Sequence, residues 1–169
     1  LEKTLILLKP DALQRAITGE IISRFERVGL KIVAAKIIQP SEDQYYYHYE
    51  TIGKMISRRG QDAFDVTLKF MQEGPVLAMV LEGIEAVALV RKMVGDTEPK
   101  TAQPGTIRGD FSHISFNYAN SNGISIPNLI HASGAVDEAE QEIRHWFSES
   151  EIFDYETVHD KFTQGRKKA

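Results

Sequence analysis

His131 stands in the run Asn128-Leu129-Ile130-His131-Ala132-Ser133-Gly134, where a short apolar strand, near 128–131, meets a helix. An imidazole at such a junction is suited to attack an anion held by nearby backbone N–H groups. Behind it, Val136, Ala139, Ile143 and Phe147 recur at helical spacing, and Asp137 and Glu138 in the first turn suit the positive end of the helix dipole. Ser133 is expected at the N-cap of that helix. Glu142 shares a helical face with Ala135 and Ala139, whose small side chains leave room for a carboxylate to approach a neighbour. A ring nitrogen that donates to a carboxylate has its tautomer fixed, and the other nitrogen keeps a free lone pair. Phosphohistidine chemistry requires that arrangement.

Phosphoryl transfer also needs positive charge around the transferred group. The candidates are Lys9 at a strand exit, Arg91 late in a helix, and Arg108 in Pro104-Gly105-Thr106-Ile107-Arg108-Gly109-Asp110. The glycines flanking Arg108 allow a backbone loop to be held close to a ligand. Arg108 is expected to face an exposed pocket, so that its truncation impairs turnover and spares the fold. Neither G-x-x-x-x-G-K-[ST] nor G-x-G-x-x-G occurs, which argues against a P-loop kinase and a dinucleotide enzyme. A kinase without those loops can instead take the phosphoryl group onto itself, and His131 is the best-placed nucleophile.

These residues need elements to carry them. Thr4-Leu5-Ile6-Leu7-Leu8 is a continuous apolar run ended by Pro10, the pattern of a central strand buried on both faces. A helix follows with Ile21, Ile22, Phe25 and Val28 on one side and Gly29 as its stop. The next strand runs over 30–38, with Ile32, Ala34 and Ile38 assigned to one face. Ser41 and Gln44 match a capping box for a helix carrying Tyr45, Tyr46, Tyr47 and Tyr49. Residues 50–61 read as a basic turn between two helices, the second over 62–72 with Phe64, Leu68 and Met71 inward. A third strand runs through Leu81, and Ile84, Val87, Val90, Met93 and Val94 form the stripe of a helix stopped by Gly95. From 96 to 127 periodicity is lost. The order predicts an α+β fold, a ferredoxin-like βαββαβ antiparallel sheet covered by helices.

With 169 residues, 42% hydrophobic and 26% charged, the chain fits one domain with a real core. The single domain is expected over 1–169, with a core at about 3–155 and a tail from 156 to 169 that ends in Gly165-Arg166-Lys167-Lys168-Ala169. No apolar run approaches bilayer length, and Leu1-Glu2-Lys3 leads into a strand without a basic leader, so neither a membrane anchor nor a secretory signal is expected. The absence of cysteine excludes disulfides and thiolate metal sites and fits a cytoplasmic protein. A net charge of −4 argues against an obligate nucleic-acid binder. An RNA-binding platform would further require aromatics on central strands, and the predicted strands are aliphatic.

With these pieces assembled, the chain closely resembles the nucleoside diphosphate kinases from about Lys3 to about Tyr155. The motifs are Leu8-Lys9-Pro10-Asp11, Gly19-Glu20-Ile21-Ile22, the segment from Pro104 to Phe111, and Asn128-x-x-His131-Ala132-Ser133, in the family's order. The resemblance implies ping-pong transfer of a γ-phosphoryl group from ATP or another nucleoside triphosphate to a nucleoside diphosphate, through a phosphohistidine on His131. It implies phosphate contacts from Lys9, Tyr49, Arg91, Thr97 and Arg108, and sugar contacts from Asn128 and Lys9. Glu142 and Ser133 would orient the ring. Mg²⁺ would ride on the nucleotide phosphates with no protein metal cage, and the chain would form a homo-oligomer, a hexamer or a tetramer. The stretch from Glu50 to Ala63 and the loop between Arg108 and Asn128 are longer than in a usual member. That displacement makes Phe64 the candidate for stacking on the base. His48, His113, His145 and His159 match no catalytic position and are read as structural or surface. The competing class is a catalytically silent binding protein on the same scaffold.

Overall fold

The computed structural model describes residues 1–163, and the basic end of the tail lies outside them. Strand β1 (Glu2–Leu8) sits inside a four-stranded sheet between β3 (Val76–Gly83) and β4 (Ile130–Ala132), with β2 (Lys31–Ile38) on the far side of β3. Every pairing is antiparallel. The apolar run of β1 is buried on both faces, as its composition predicts. Ile6 and Leu8 pack with Ile21 and Phe25 of α2 (Thr18–Arg27) and with Val90 and Val94 of α6 (Ala86–Val94). Leu5 and Leu7 point to the opposite layer. There they meet Tyr45 of α3 (Glu42–Tyr46), Met71 of α5 (Gln61–Met71), and Ile143 and Trp146 of α9 (Val136–Trp146). The chain is therefore α+β with the expected βαββαβ order.

Local chemistry explains several departures from the periodicity reading. Pro10 opens a short separate helix, α1 (Pro10–Gln14), because a proline at N1 loses no intrahelical bond. On β2 the pairing register shifts between Ile32 and Ala34. That bulge turns Ile32 into the layer of α2 and α6, whereas Ala34 and Ile38 join the other layer. The assignment of all three to one face is thus corrected. Residues 96–127, aperiodic by pattern, hold two short helices, α7 (Ile107–Phe111) and α8 (Phe116–Ser121). Each begins with a capping hydroxyl: Thr106 accepts from the Gly109 N–H and Ser115 from the Tyr118 N–H. They are too short to show a 3.6-residue stripe.

The basic turn after α3 is also more structured than expected. Tyr47–Ile52 forms a π-helical turn, and α4 (Met55–Arg59) is inserted between a left-handed Lys54 (φ 53°) and Gly60 (φ 90°). The Glu50 carboxylate accepts from the Ile56 N–H at 2.6 Å, supplying a cap from outside the helix.

Tight packing concentrates behind α7. A Cβ at Gly109 would run into the Gln103 carbonyl oxygen and approach the Ala102 carbonyl oxygen at 2.9 Å. Backbone cannot swing away as a side-chain tip can. Gly109→Ala is expected to lower unfolding free energy by about 2–3 kcal/mol in urea titration. A loss below about 0.5 kcal/mol would show that the loop relaxes freely.

Candidate active site

The site is built on a strained residue. Leu129, just before β4, has φ 73°, a left-handed backbone that costs a branched side chain about 1–3 kcal/mol. Its N–H donates to Asp11 Oδ2 at 3.0 Å, and its carbonyl accepts from the Lys9 N–H at 2.8 Å. Arg108 grips both sides of the kink: Nε donates to the Asn128 carbonyl at 3.1 Å and Nη2 to the Ile130 carbonyl at 2.5 Å. Its Nη1 reaches the Gly95 carbonyl at 3.1 Å. Only 4% of Arg108 is exposed, and burial with Arg91 nearby lowers its pKa to about 10. The expectation of an exposed Arg108 is therefore corrected. The guanidinium lines the cavity, yet each of its three nitrogens donates to a backbone carbonyl.

The clamp sets Asn128 beside Lys9. Lys9 Nζ donates to Asn128 Oδ1 at 2.7 Å, and Asn128 Nδ2 donates to the Thr97 carbonyl at 2.8 Å. Burial, with Arg108 adding repulsion, lowers the Lys9 pKa to about 8. Asp11 offsets part of that repulsion, and burial raises its own pKa.

His131 projects from β4 opposite Leu7, into the layer that contains α9. Its Nε2 lies 2.8 Å from Glu142 Oε1, and the Ser133 hydroxyl donates to Glu142 Oε2 at 2.6 Å. Burial disfavours the Glu142 carboxylate, but the His131 ring beside it, that hydrogen bond, and the Ser133 hydroxyl hold its pKa down to about 2. An ionised carboxylate only accepts, so Nε2 must donate. Among the described residues Nδ1 has no hydrogen-bond partner. The same geometry corrects the expectation for Ser133: the N-cap of α9 is Ala135, without a side-chain cap bond. Ser133 instead turns inward, where its hydroxyl also accepts from the Leu5 N–H at 3.1 Å.

The π-helical turn carries two further side chains to this centre, which suits the use of such turns at functional sites. Tyr49 is half-buried, its hydroxyl is fully covered and has no partner among the described residues, and burial raises its pKa. His48 packs edge-on against His131, with ring centroids 4.5 Å apart. Its Nδ1 accepts from the Trp146 indole N–H at 3.1 Å. Burial and His131 push the His48 pKa down to about 3, so its 3.6 Å approach to Glu142 is not an ion pair. Ligand atoms of His48, His131 and Glu142 lie within 4.8 Å of one another. His48 Nδ1 is engaged by the Trp146 indole N–H and the Glu142 oxygens by the His131 N–H and the Ser133 hydroxyl, so these groups form a hydrogen-bond network that leaves the His131 Nδ1 lone pair free.

These groups face a cavity of about 380 Å³. Of the residues singled out by sequence, Lys9, Tyr49, Arg91, Thr97, Arg108, Asn128, His131 and Glu142 line it. Ser133 stands behind Glu142. Phe64 does not reach the cavity: it is buried at 5% exposure and meets Tyr46 edge-on, on the inward face of α5. The apolar wall comes from Met55 of α4 and from Ile126. Sequence reasoning also missed Arg58, Arg59, His48 and Glu138, all of which line the cavity. The signal for the arginines was the basic insertion itself. His48 carried none, because its role comes from a π turn.

Arg108→Ala leaves three backbone carbonyls without their donor, at about 1–3 kcal/mol for each buried group. We expect a loss of about 3 kcal/mol or more in denaturant unfolding, without recovery in Arg108→Lys. Unfolding within about 1 kcal/mol of the parent protein would remove the clamp from the account.

The nucleoside diphosphate kinase family model matches residues 2–152. The chain is 47% identical over 157 residues to a nucleoside diphosphate kinase of Borreliella burgdorferi, covering 92% of each chain. Among solved structures it is similar to a transition-state mimic of nucleoside-diphosphate kinase from Borrelia burgdorferi with bound vanadate and ADP. That match has TM-score 0.94 and 43% identity and covers 98% of both chains. A halophilic nucleoside diphosphate kinase from Halobacterium salinarum in complex with CDP matches with TM-score 0.81 and 34% identity, covering 96% of this chain and 97% of that one.

Proposed function

The chain belongs to the nucleoside diphosphate kinase family, and from that premise we propose that its cavity passes a phosphoryl group between two nucleotides in turn through His131. The observation that carries this reading is the tie of His131 Nε2 to Glu142, which leaves Nδ1 as the ring nitrogen free to attack. In the first half-reaction the Nδ1 lone pair forms a bond to the γ-phosphorus of a nucleoside triphosphate such as ATP. The bond from that phosphorus to its bridging oxygen breaks, and its electron pair leaves with the nucleoside diphosphate. The phosphorylated ring is cationic, and the Glu142 carboxylate opposite Nε2–H stabilises it. In the second half-reaction a terminal oxygen of another nucleoside diphosphate attacks the same phosphorus, and the P–N electrons return to Nδ1.

The surrounding groups fit that traffic. Lys9 and Arg91 bring positive charge, and the unpartnered Tyr49 hydroxyl is a donor in search of an oxygen acceptor. Asn128, bridging Lys9 and Thr97, is placed for a sugar hydroxyl. Transfer between similar anhydrides is nearly thermoneutral, so a P–N intermediate of comparable energy suffices. Mg²⁺ would be carried in by the phosphates and would neutralise their charge. The donor set fits that mode, since the charged residues of the lining are mainly cations and it offers no ring of free carboxylates. We place the protein in the cytoplasm, on its lack of cysteine, and expect a homo-oligomeric hexamer or tetramer, which light scattering resolves.

Incubation with radiolabelled ATP is expected to leave an acid-labile, base-stable label on the chain, absent from His131→Ala. Full labelling of that variant would end the assignment. The pH profile supplies a second check. Because the Lys9 pKa is lowered to about 8, its charge is lost as pH rises through that value. The free-enzyme parameter kcat/KM is therefore expected to decline above about pH 8. Lys9→Met should start about tenfold or more lower and lack that limb. An identical alkaline limb in Lys9→Met would assign it to another group.

A further inference from the structure

Glu138 is the anomaly of the cavity. It stands in the first turn of α9 and faces a space bounded by Lys9, Arg58, Arg59, Arg91 and Arg108. The other lining carboxylate, Glu142, has one oxygen on His131 and the other on Ser133. Glu138 has no ion pair within 4.0 Å among the described residues, and Arg58 acts on it only at longer range. Burial and repulsion from Glu142 work against its charge, while His131, the Gly134 amide and Arg58 favour it.

Its position is also specified by the chain ahead of the helix. A Cβ on Gly134 would lie 2.8 Å from Glu138 Oε2, so the carboxylate occupies the space that any larger residue at 134 would claim. Gly134 does not have a left-handed φ, so the backbone itself does not demand glycine there. The small residue and the carboxylate are one feature.

An unpaired carboxylate in a polyphosphate site repels bare phosphate oxygens. It is tolerated only if a cation sits between the two, and Mg²⁺ on the phosphate chain is a hard cation that prefers carboxylate oxygen or water held by it. We propose that Glu138 makes the cavity select the Mg²⁺ complex of a nucleotide over the metal-free nucleotide, by receiving the metal-bearing side of the polyphosphate chain. This rests on the reading of the cavity as a nucleotide phosphate site. Glu138 is a specificity-determining residue here: phosphoryl transfer itself stays with His131.

Equilibrium binding separates the claims. ADP is titrated into the full chain by calorimetry, once with saturating Mg²⁺ and once in EDTA, for the parent protein, Glu138→Gln and Gly134→Ala. The parent is expected to prefer the Mg²⁺ complex. Glu138→Gln should bind metal-free ADP about 3–10-fold more tightly, a modest change for a half-exposed charge, and its preference for Mg²⁺ should narrow accordingly. Gly134→Ala, which displaces the carboxylate without removing it, should move the preference part of the way in the same direction. An unchanged ratio of affinities with and without Mg²⁺ in Glu138→Gln overturns the proposal. So does an equal weakening of both, the signature of a merely structural side chain. Failure of the parent protein to bind ADP under either condition would instead overturn the nucleotide-site reading.

Discussion

The buried Glu142 carboxylate is the interaction on which the site depends. A charge at 1% exposure is tolerable only when its oxygens are met by donors. Here those donors are the His131 ring and the Ser133 hydroxyl. The need to satisfy the charge therefore dictates the imidazole tautomer, and the tautomer decides which nitrogen keeps a free lone pair. Neutral His48 fits the same logic. Protonation would bury a cation against the His131 ring, whereas the neutral ring accepts from Trp146 and leaves Glu142 to its two partners.

A second constraint fixes the strand that carries the imidazole. β4 is three residues long and cannot hold its own register by pairing alone. The left-handed turn at Leu129 is instead held by Asp11 and the Lys9 backbone on one side and by Arg108 on the other. Strain at a functional position is thus offset by buried hydrogen bonds to charged groups, which are worth more than neutral ones. Arg108 contributes positive potential and architecture together. Lys9, Arg91, Arg58 and Arg59 line the same cavity and add their charge to that potential.

Residues 53–59 give the cavity one of its walls, through Gly53, Met55, Arg58 and Arg59. α4 is held between two residues with positive φ and capped by Glu50, so it is a built element rather than slack loop. Arg59 lies 5.9 Å from the Phe116 ring centroid, which links α4 to α8. Met55 and Ile126 then offer an aliphatic surface where an aromatic was expected.

The sequence by itself determined the central strand, the βαββαβ order and the family. Continuous apolar runs, helical stripes and four ordered motifs are local signals, and local signals survive without coordinates. It also singled out His131, Glu142, Lys9 and Asn128, which the fold brings to one cavity. Tertiary structure alone decided the rest. It turned Ser133 from a cap into a ligand of Glu142, since a hydroxyl takes whichever partner the fold brings near. It converted Arg108 from a surface contact to a buried clamp, because burial depends on what packs over a residue rather than on the glycines beside it. Phe64 stayed in the core, and Met55, His48 and Glu138 entered the cavity. These outcomes turn on a bulge, a π turn and an inserted helix, each a one- or few-residue change of phase that redirects side chains without altering composition.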